Sequence, residues 1–211
     1  MEFVADRRSN PFDLKPPCER FVPGYGPTDA HFHVVGDHPG VHGGLDTGIP
    51  FTDQPWSGQF FDALEAGGLV DGIDLDAGAV ESSQTFFSYI HACADGAPSE
   101  ASYGDLEPYF DTELRAITAH VLLPVGERAT AHVFEQYTAI DADRASEMAD
   151  LHATDHHGSG WLIVPIADPA DWSERAEQAL IECLRRILGS DYRQISDLGR
   201  FLPDDDPHFV R

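Results

Sequence analysis

Lysine is almost absent from this sequence. Its 211 residues include one lysine, Lys15, and 37 acidic residues oppose 13 basic ones, so the formal net charge is −24. Such a balance is typical of proteins from a salt-saturated cytoplasm, where the Debye length is about 3 Å or less and repulsion between carboxylates is screened. We therefore predict a halophilic protein. An acidic surface normally argues against nucleic-acid binding, but at molar salt that argument weakens. The charge therefore does not decide whether the partner is a nucleic acid.

Cysteines and long apolar runs are scarce as well. Cys18, Cys93 and Cys183 are far apart and form no C-x-x-C pair, so we expect neither a disulfide framework nor a zinc site. No apolar run reaches the length that crosses a bilayer, and the charged N-terminus does not resemble a signal peptide. These absences predict a soluble, cytoplasmic protein with no membrane partner, and they leave its oligomeric state open.

Short apolar segments alternate with segments of helical periodicity along the chain. The predicted strands are 30–35, 85–92, 120–125 and 161–166, and the predicted helices are 56–69, 106–119, a segment from 126, and 172–188. This alternation predicts an α/β fold, a three-layer α/β/α sandwich with a central four-stranded parallel sheet. We expect an extended proline-rich arm at 1–28, one domain at 29–190 that includes a surface insertion at 141–160, and an acidic tail at 191–211.

Candidate functional residues stand where the predicted strands end. The turn Gly36-Asp37-His38-Pro39-Gly40 follows the first strand, a second turn presents Phe51, His91 ends the second strand, and Asp168 follows the fourth. Ligands of open parallel sheets bind at this edge, and an acid, an imidazole and a ring would suit a flat heterocycle. The alternative for each is structural: a tight turn, a core phenylalanine, a strand-end histidine and a turn aspartate.

The order of these motifs resembles the uracil-DNA glycosylase superfamily, with a layout closest to its family 4 enzymes. Those carry G-E-x-P-G after the first strand and G-x-P-F a few residues later, and this chain has Gly36–Gly40 and then Gly48-Ile49-Pro50-Phe51. Leu122–Ala129 matches a third strand that runs into G-x-x-A. The resemblance covers roughly residues 30 to 188. It implies hydrolysis of the N-glycosidic bond of a deaminated base in DNA, as in base excision repair.

The resemblance also implies roles for single residues. Phe51 would stack on a base taken out of the DNA duplex, and backbone amides around Asp37 to Gly40, in the turn that contains Gly36 and Pro39, would bind its carbonyls. His38 would be the general base, because its ordinary pKa lies near neutrality, and Asp37 would orient it or the attacking water. His91 replaces an asparagine that reads the base. Asp168 replaces a histidine that supports the charge on the leaving base.

Two departures from the family leave other functions open. The iron–sulfur cysteines of family 4 have no matching set here, with Cys18 as one survivor at most, so we predict no cluster, no metal and no other cofactor. The substitutions at His91 and Asp168 favour a second function, a non-catalytic member of the fold that binds DNA or a nucleotide.

A third function is suggested by histidine pairs. Asp29-Ala30-His31-Phe32-His33 has the D-x-H-x-H form of metal-dependent amidohydrolases, in which alternate strand residues face one metal, and Asp155-His156-His157 resembles a metallophosphoesterase motif. The barrel of the former class typically needs about 250 residues. This argues against a metal-dependent hydrolase that uses Asp29, His31 and His33.

Overall fold

The structure is a computed structural model that describes residues 8–75 and 78–193. Its strands are β1 (Phe32–Gly36), β2 (Gly72–Asp74), β3 (Ala79–Glu81), β4 (Thr85–Tyr89), β5 (Val121–Pro124), β6 (His156–Gly158) and β7 (Trp161–Ile163). Its α-helices are α1 (Pro39–His42), α2 (Ser57–Gly67), α3 (Glu100–Ile117), α4 (Gly126–Tyr137), α5 (Met148–Leu151) and α6 (Glu174–Leu188). Short 3-10 helices span Ala142–Glu147 and Pro169–Asp171.

The central sheet has the strand order β4-β1-β5-β7-β6. The first four of these are mutually parallel, as predicted, and β6 pairs antiparallel with β7 at the edge. The predicted surface insertion therefore supplies a fifth strand, which the sequence analysis missed. The reason is that β6 reads His156-His157-Gly158, three residues with neither an apolar run nor an alternating pattern.

Helices cover both faces of the sheet, which confirms the three-layer α/β/α sandwich. All five residues of β1 are buried, because this central strand faces a helical layer on each side. Helices α2 and α6 pack on one face through Phe60, Phe61, Leu64, Leu180 and Leu184. On the other face lie α3 and α4, through Phe110, Leu114, Val133 and Phe134.

The N-terminal arm runs along the outer edge of β4. The Tyr25 N–H donates to the Phe87 carbonyl at 2.9 Å and the Phe87 N–H donates back at 2.8 Å, so the arm adds an antiparallel bridge to the sheet. A disulfide joins Cys18 in this arm to Cys93, with 6.0 Å between their Cα atoms. The sequence analysis, which expected no disulfide framework, did not foresee this bond, because the return of the arm along β4 brings together two residues far apart in sequence. The predicted tail lies outside the described residues from 194 onward.

Loss of this disulfide should destabilise the fold. It closes a loop of 75 residues, and a cross-link of that span stabilises by restricting the unfolded chain, typically by about 2–4 kcal/mol. We expect urea unfolding with reductant to show a free energy lower by that amount. The double variant Cys18→Ser/Cys93→Ser should match the reduced protein and not respond to reductant. Equal unfolding midpoints with and without reductant would contradict a stabilising cross-link.

Candidate functional site

The candidate site is a cleft at the carboxyl ends of β1 and β5. From β1 the chain continues to α2 on one face of the sheet, whereas from β5 it continues to α4 on the other, so the two connections diverge. Such a switch point opens a crevice in α/β proteins. Here the cleft has a volume of about 670 Å³, and its lining includes Asp37, His42, Val125, Tyr103 and Asp168.

His38 caps the short helix α1. Its Nδ1 accepts the Gly40 N–H at 3.0 Å, and Pro39 occupies the first turn, a position where its missing N–H costs nothing. Since the Nδ1 lone pair is used, a neutral His38 carries its proton on Nε2. Burial lowers the pKa of His38. His38 does not belong to the residues that line the cleft, whereas Asp37 does.

His42 is the imidazole that lines the cleft. The Asp37 N–H donates to its Nδ1 at 3.0 Å, and its ring stacks on Phe51 with 5.4 Å between centroids. Burial lowers the pKa of His42 to about 4, so the ring is neutral at ordinary pH. Sequence reasoning missed this residue. Its place next to the Gly43-Gly44 pair gives no local signal of chemistry, and only its packing shows it.

Phe51 is fully buried and does not line the cleft. It has a positive φ of 68°, and its N–H donates at 2.7 Å to the Tyr89 hydroxyl, which lies 3.0 Å from the His42 carbonyl oxygen. The ring packs between His42 and Phe60. His42 covers the Phe51 ring on the side of the cleft, and stacking of Phe51 on a base stays a prediction.

Asp37 is held by a bond from helix α3. The Tyr103 hydroxyl donates to its Oδ1, and Asp37 Oδ2 has no hydrogen-bond partner in the described part of the chain. Burial and the bond to Asp37 raise the pKa of Tyr103, so this hydroxyl keeps its proton. The Arg128 guanidinium lies 4.4 Å from the centre of the Tyr103 ring and is paired with Glu100. A carboxylate is thus presented to the cleft with one oxygen positioned.

Asp168 lies in the cleft, whereas His91 does not. Asp168 Oδ1 accepts the Ala170 N–H at 2.9 Å and caps the 3-10 helix at Pro169, and its Oδ2 lies 3.9 Å from His42 Nε2. His91 is buried behind the Tyr103 ring, with Nδ1 3.2 Å from the Cys93 carbonyl and Nε2 3.1 Å from Ser102 Oγ. Both of its ring nitrogens are therefore engaged by the protein, which leaves none for a base.

Two backbone amides of the first turn are engaged within the protein. The Asp37 N–H donates to His42 and the Gly40 N–H donates to His38, while Pro39 has none. These two N–H groups are therefore used within the turn. The His38 N–H is not among these engaged amides, so binding of base carbonyls by this turn stays a prediction.

The histidine pairs do not form a metal centre. His33 is fully buried with Nε2 at 2.8 Å from Ser88 Oγ, and His31 Nδ1 contacts the Tyr192 hydroxyl at 2.9 Å. Across residues 8–75 and 78–193, no group of three or more His, Cys, Asp or Glu side chains is arranged to hold a metal ion.

An iron–sulfur cluster does not fit the cysteines either. Cys18 and Cys93 are bonded to each other, and the Cys183 thiol is buried beside Asp155. The absence of cofactors stays a prediction.

Gly36 allows the ring packing around His42. A Cβ at this position would lie 2.7 Å from the Tyr89 ring and 2.8 Å from His42 Nδ1. We expect Gly36→Ala to lower the free energy of unfolding by about 1–3 kcal/mol, since neither ring can yield without losing its own contacts. Gly58→Ala is the matched control, because its Cβ meets nothing within 4 Å on helix α2. That variant should be as stable as the parent or more stable. Equal thermal midpoints for Gly36→Ala and the parent would refute the steric argument.

The sandwich defines an α/β protein with a cleft, lined by polar side chains, at its topological switch point. The uracil DNA glycosylase superfamily model matches residues 23–188, and the chain belongs to this superfamily. A type-5 uracil-DNA glycosylase of Mycobacterium leprae (strain TN) is 31% identical over 124 residues, which are 57% of this chain and 54% of that protein. The chain thus matches about half the length of this relative. The predicted superfamily is confirmed, and the family 4 layout stays a prediction.

Within residues 8–75 and 78–193, no helix has both the length and the apolar character that crossing a membrane requires.

Proposed function

We propose that this protein is a DNA glycosylase that hydrolyses the N-glycosidic bond of a deaminated base, with uracil as the first candidate. The observation that carries the proposal is the Asp37 carboxylate, which lines the cleft and is held at Oδ1 by the Tyr103 hydroxyl. Membership of the superfamily and the name of the type-5 relative support the same activity. DNA that contains such a base is then the partner.

In the proposed reaction, Asp37 Oδ2 accepts a hydrogen bond from the attacking water. The water oxygen forms a bond to the sugar C1′ while the C1′–N bond breaks, and that electron pair leaves with the base. The water proton passes to Asp37, and solvent later protonates the base. This assigns the general base to Asp37 rather than to His38. The reason is that His38 uses its Nδ1 lone pair to cap α1, and the proton of the neutral ring then occupies Nε2.

The size of the cleft suits a flipped nucleotide. Pockets for small ligands usually measure about 300–1,000 Å³, and this cleft has about 670 Å³. An enzyme that acts on a base takes it out of the stack and encloses it. A nucleotide that enters here would bring its C1′ to the level of Asp37, with the base deeper beside His42.

Carboxylates dominate the rim of the cleft, which bears on the predicted halophily. Its acidic lining residues are Asp37, Glu100, Glu107, Glu127, Glu135 and Asp168, and Arg128 is a basic one. Repulsion of DNA phosphates is strong in dilute buffer and short-ranged at molar salt. We therefore expect activity on DNA to rise with KCl, which is opposite to the salt response of most nucleic-acid enzymes.

The proposal is tested by base release from uracil-containing oligonucleotides, single- and double-stranded, in about 2 M KCl with EDTA. Alkali-labile cleavage at uracil, and none at cytosine, is the expected result. Loss of release on chelation would instead favour the metal-dependent hydrolase. Selective binding of uracil DNA by folded protein with no release would favour the non-catalytic alternative. Either outcome would overturn the proposed function.

A further inference from the structure

His42 presents an unused donor to the cleft. The residue is 1% exposed, and its Nε2 has no hydrogen-bond partner among the described residues. Buried polar atoms in folded proteins almost always have partners, and each exception asks for an explanation. A donor left without an acceptor costs stability. A ligand atom that accepts a hydrogen bond would supply the missing partner.

The surrounding contacts determine which chemical group Nε2 presents. Because the Asp37 N–H donates to Nδ1, the neutral ring carries its proton on Nε2 and can only donate there. Stacking on Phe51 and close packing against Gly36 hold the ring in place. Burial keeps the ring uncharged by lowering the pKa of His42 to about 4. The cleft therefore contains a fixed, neutral N–H donor.

Asp168 supplies the complementary acceptor. Its Oδ1 is used by the Ala170 N–H, whereas its Oδ2 faces His42 Nε2 at 3.9 Å. This separation is too long for a hydrogen bond between the two side chains. It leaves a donor and an acceptor side by side on one wall of the cleft, each with capacity for a ligand.

We propose that His42 and Asp168 together read the lactam edge of the base, with His42 Nε2–H donating to its carbonyl oxygen and Asp168 Oδ2 accepting from the adjacent ring N–H. This inference rests on the proposed function and names its substrate class. Uracil and hypoxanthine carry a carbonyl next to a ring N–H. Cytosine and adenine carry the reverse, an amino group next to an unprotonated ring nitrogen. The amino group would then face the His42 N–H donor, and the ring nitrogen would face the Asp168 acceptor. The pair thus separates deaminated bases from their parents.

His42 and Asp168 cannot distinguish uracil from every other base. Thymine and guanine also present a carbonyl beside a ring N–H, so His42 and Asp168 accept their edges. Discrimination against the thymine methyl group or the guanine amino group has to come from the shape of the cleft. We therefore expect selectivity for uracil over cytosine to depend on His42 and Asp168, and selectivity for uracil over thymine to be independent of them.

The test is equilibrium binding by fluorescence anisotropy in about 2 M KCl. The probes are single-stranded oligonucleotides with one 2′-fluoro-deoxyuridine or one 2′-fluoro-deoxycytidine, since the fluorine slows cleavage of the C1′–N bond. The parent should prefer the uracil probe by about 10-fold or more, as expected when buried polar groups are left unpaired by the wrong base. His42→Phe keeps the stacked ring without the donor, and Asp168→Asn keeps the cap on Ala170 but adds a donor. Both should reduce the preference to about 2-fold or less.

Two further variants distinguish the loss of a ligand contact from the loss of folding. His42→Gln can place an amide N–H near the position of Nε2, and we expect it to restore part of the preference. His33→Phe removes a fully buried imidazole that does not line the cleft and packs against Phe86 and Phe110, and it should keep the full ratio. Circular dichroism and thermal unfolding report whether each variant is folded.

The outcomes separate this inference from the proposed function. Excision by the parent together with an unchanged binding ratio in folded His42→Phe and Asp168→Asn would overturn the edge-reading pair and keep the glycosylase. A preference that these variants lose, without any excision by the parent, would support the pair and overturn the glycosylase. A parent with no preference for the uracil probe would overturn the inference whatever its activity.

Discussion

Asp37→Asn should lower the single-turnover rate of uracil release by about 10²–10⁴-fold, the usual contribution of a general base. The asparagine oxygen can still accept the Tyr103 hydroxyl bond that holds Asp37 Oδ1. Its amide nitrogen then replaces Oδ2 and cannot take a proton from water. Geometry is retained while basicity is lost, so binding of uracil DNA should change by only a few-fold. Single-turnover kinetics with enzyme in excess would measure both quantities.

His38→Asn is the matched control, because it distinguishes the two candidate bases. Asparagine is a good N-cap residue and can accept the Gly40 N–H in place of His38 Nδ1. The variant therefore removes the imidazole and preserves helix α1. If Asp37 is the base, His38→Asn retains most of the activity. A loss as large as that of Asp37→Asn would return the role of general base to His38.

Glu113→Gln should raise the free energy of unfolding at pH 8 by about 3–5 kcal/mol and leave it nearly unchanged near pH 4. Glu113 lies on helix α3 against the arm, and burial raises the pKa of its carboxyl group to about 8, although a hydrogen bond from the Gly24 N–H acts in the opposite direction. Between the unfolded and folded pKa values, the native state holds a proton that the unfolded state has released. Stability then falls by about 1.4 kcal/mol per pH unit as pH rises through this range.

The direction in which the free energy of unfolding changes with pH distinguishes Glu113 from carboxylates whose pKa is lowered on folding. A group whose folded pKa is raised destabilises the fold as pH increases up to that pKa, and glutamine cannot make this contribution. The difference between parent and variant should therefore grow from about pH 4.5 to pH 8 and then stay level. Urea unfolding at several pH values measures it, with Glu65→Gln on the exposed face of α2 as control. A difference that is flat across pH would show that Glu113 is ionised in the folded protein.

Much of the fold could be predicted from local pattern. Central strands buried on both faces read as short apolar runs, as in Phe32–Gly36, and amphipathic helices repeat their apolar residues every three or four positions. Connections in parallel sheets place strand ends at one edge. For that reason Asp37 and Asp168 were found as cleft residues although 131 positions separate them.

Other features depend on contacts between segments that no local pattern records. The Cys18–Cys93 disulfide exists because the arm returns along β4, and β6 forms because β7 offers it an edge. His91 has the expected position in sequence, yet Ser102 and the Cys93 carbonyl occupy its nitrogens. A residue type at a strand end indicates what chemistry is available, but its neighbours in space decide whether a ligand can use it.

The sequence by itself determined the class of fold, the edge of the sheet that carries the site and the carboxylates at that edge, because these follow from periodicity and connectivity along the chain. The tertiary structure decided which imidazole faces the cleft. His38 and His42 stand four residues apart in one turn, and only burial against Phe51 and the bond from the Asp37 amide make His42 a neutral donor in the cleft. Desolvation and hydrogen-bond partners are properties of surroundings in space, and distant parts of the chain provide those surroundings.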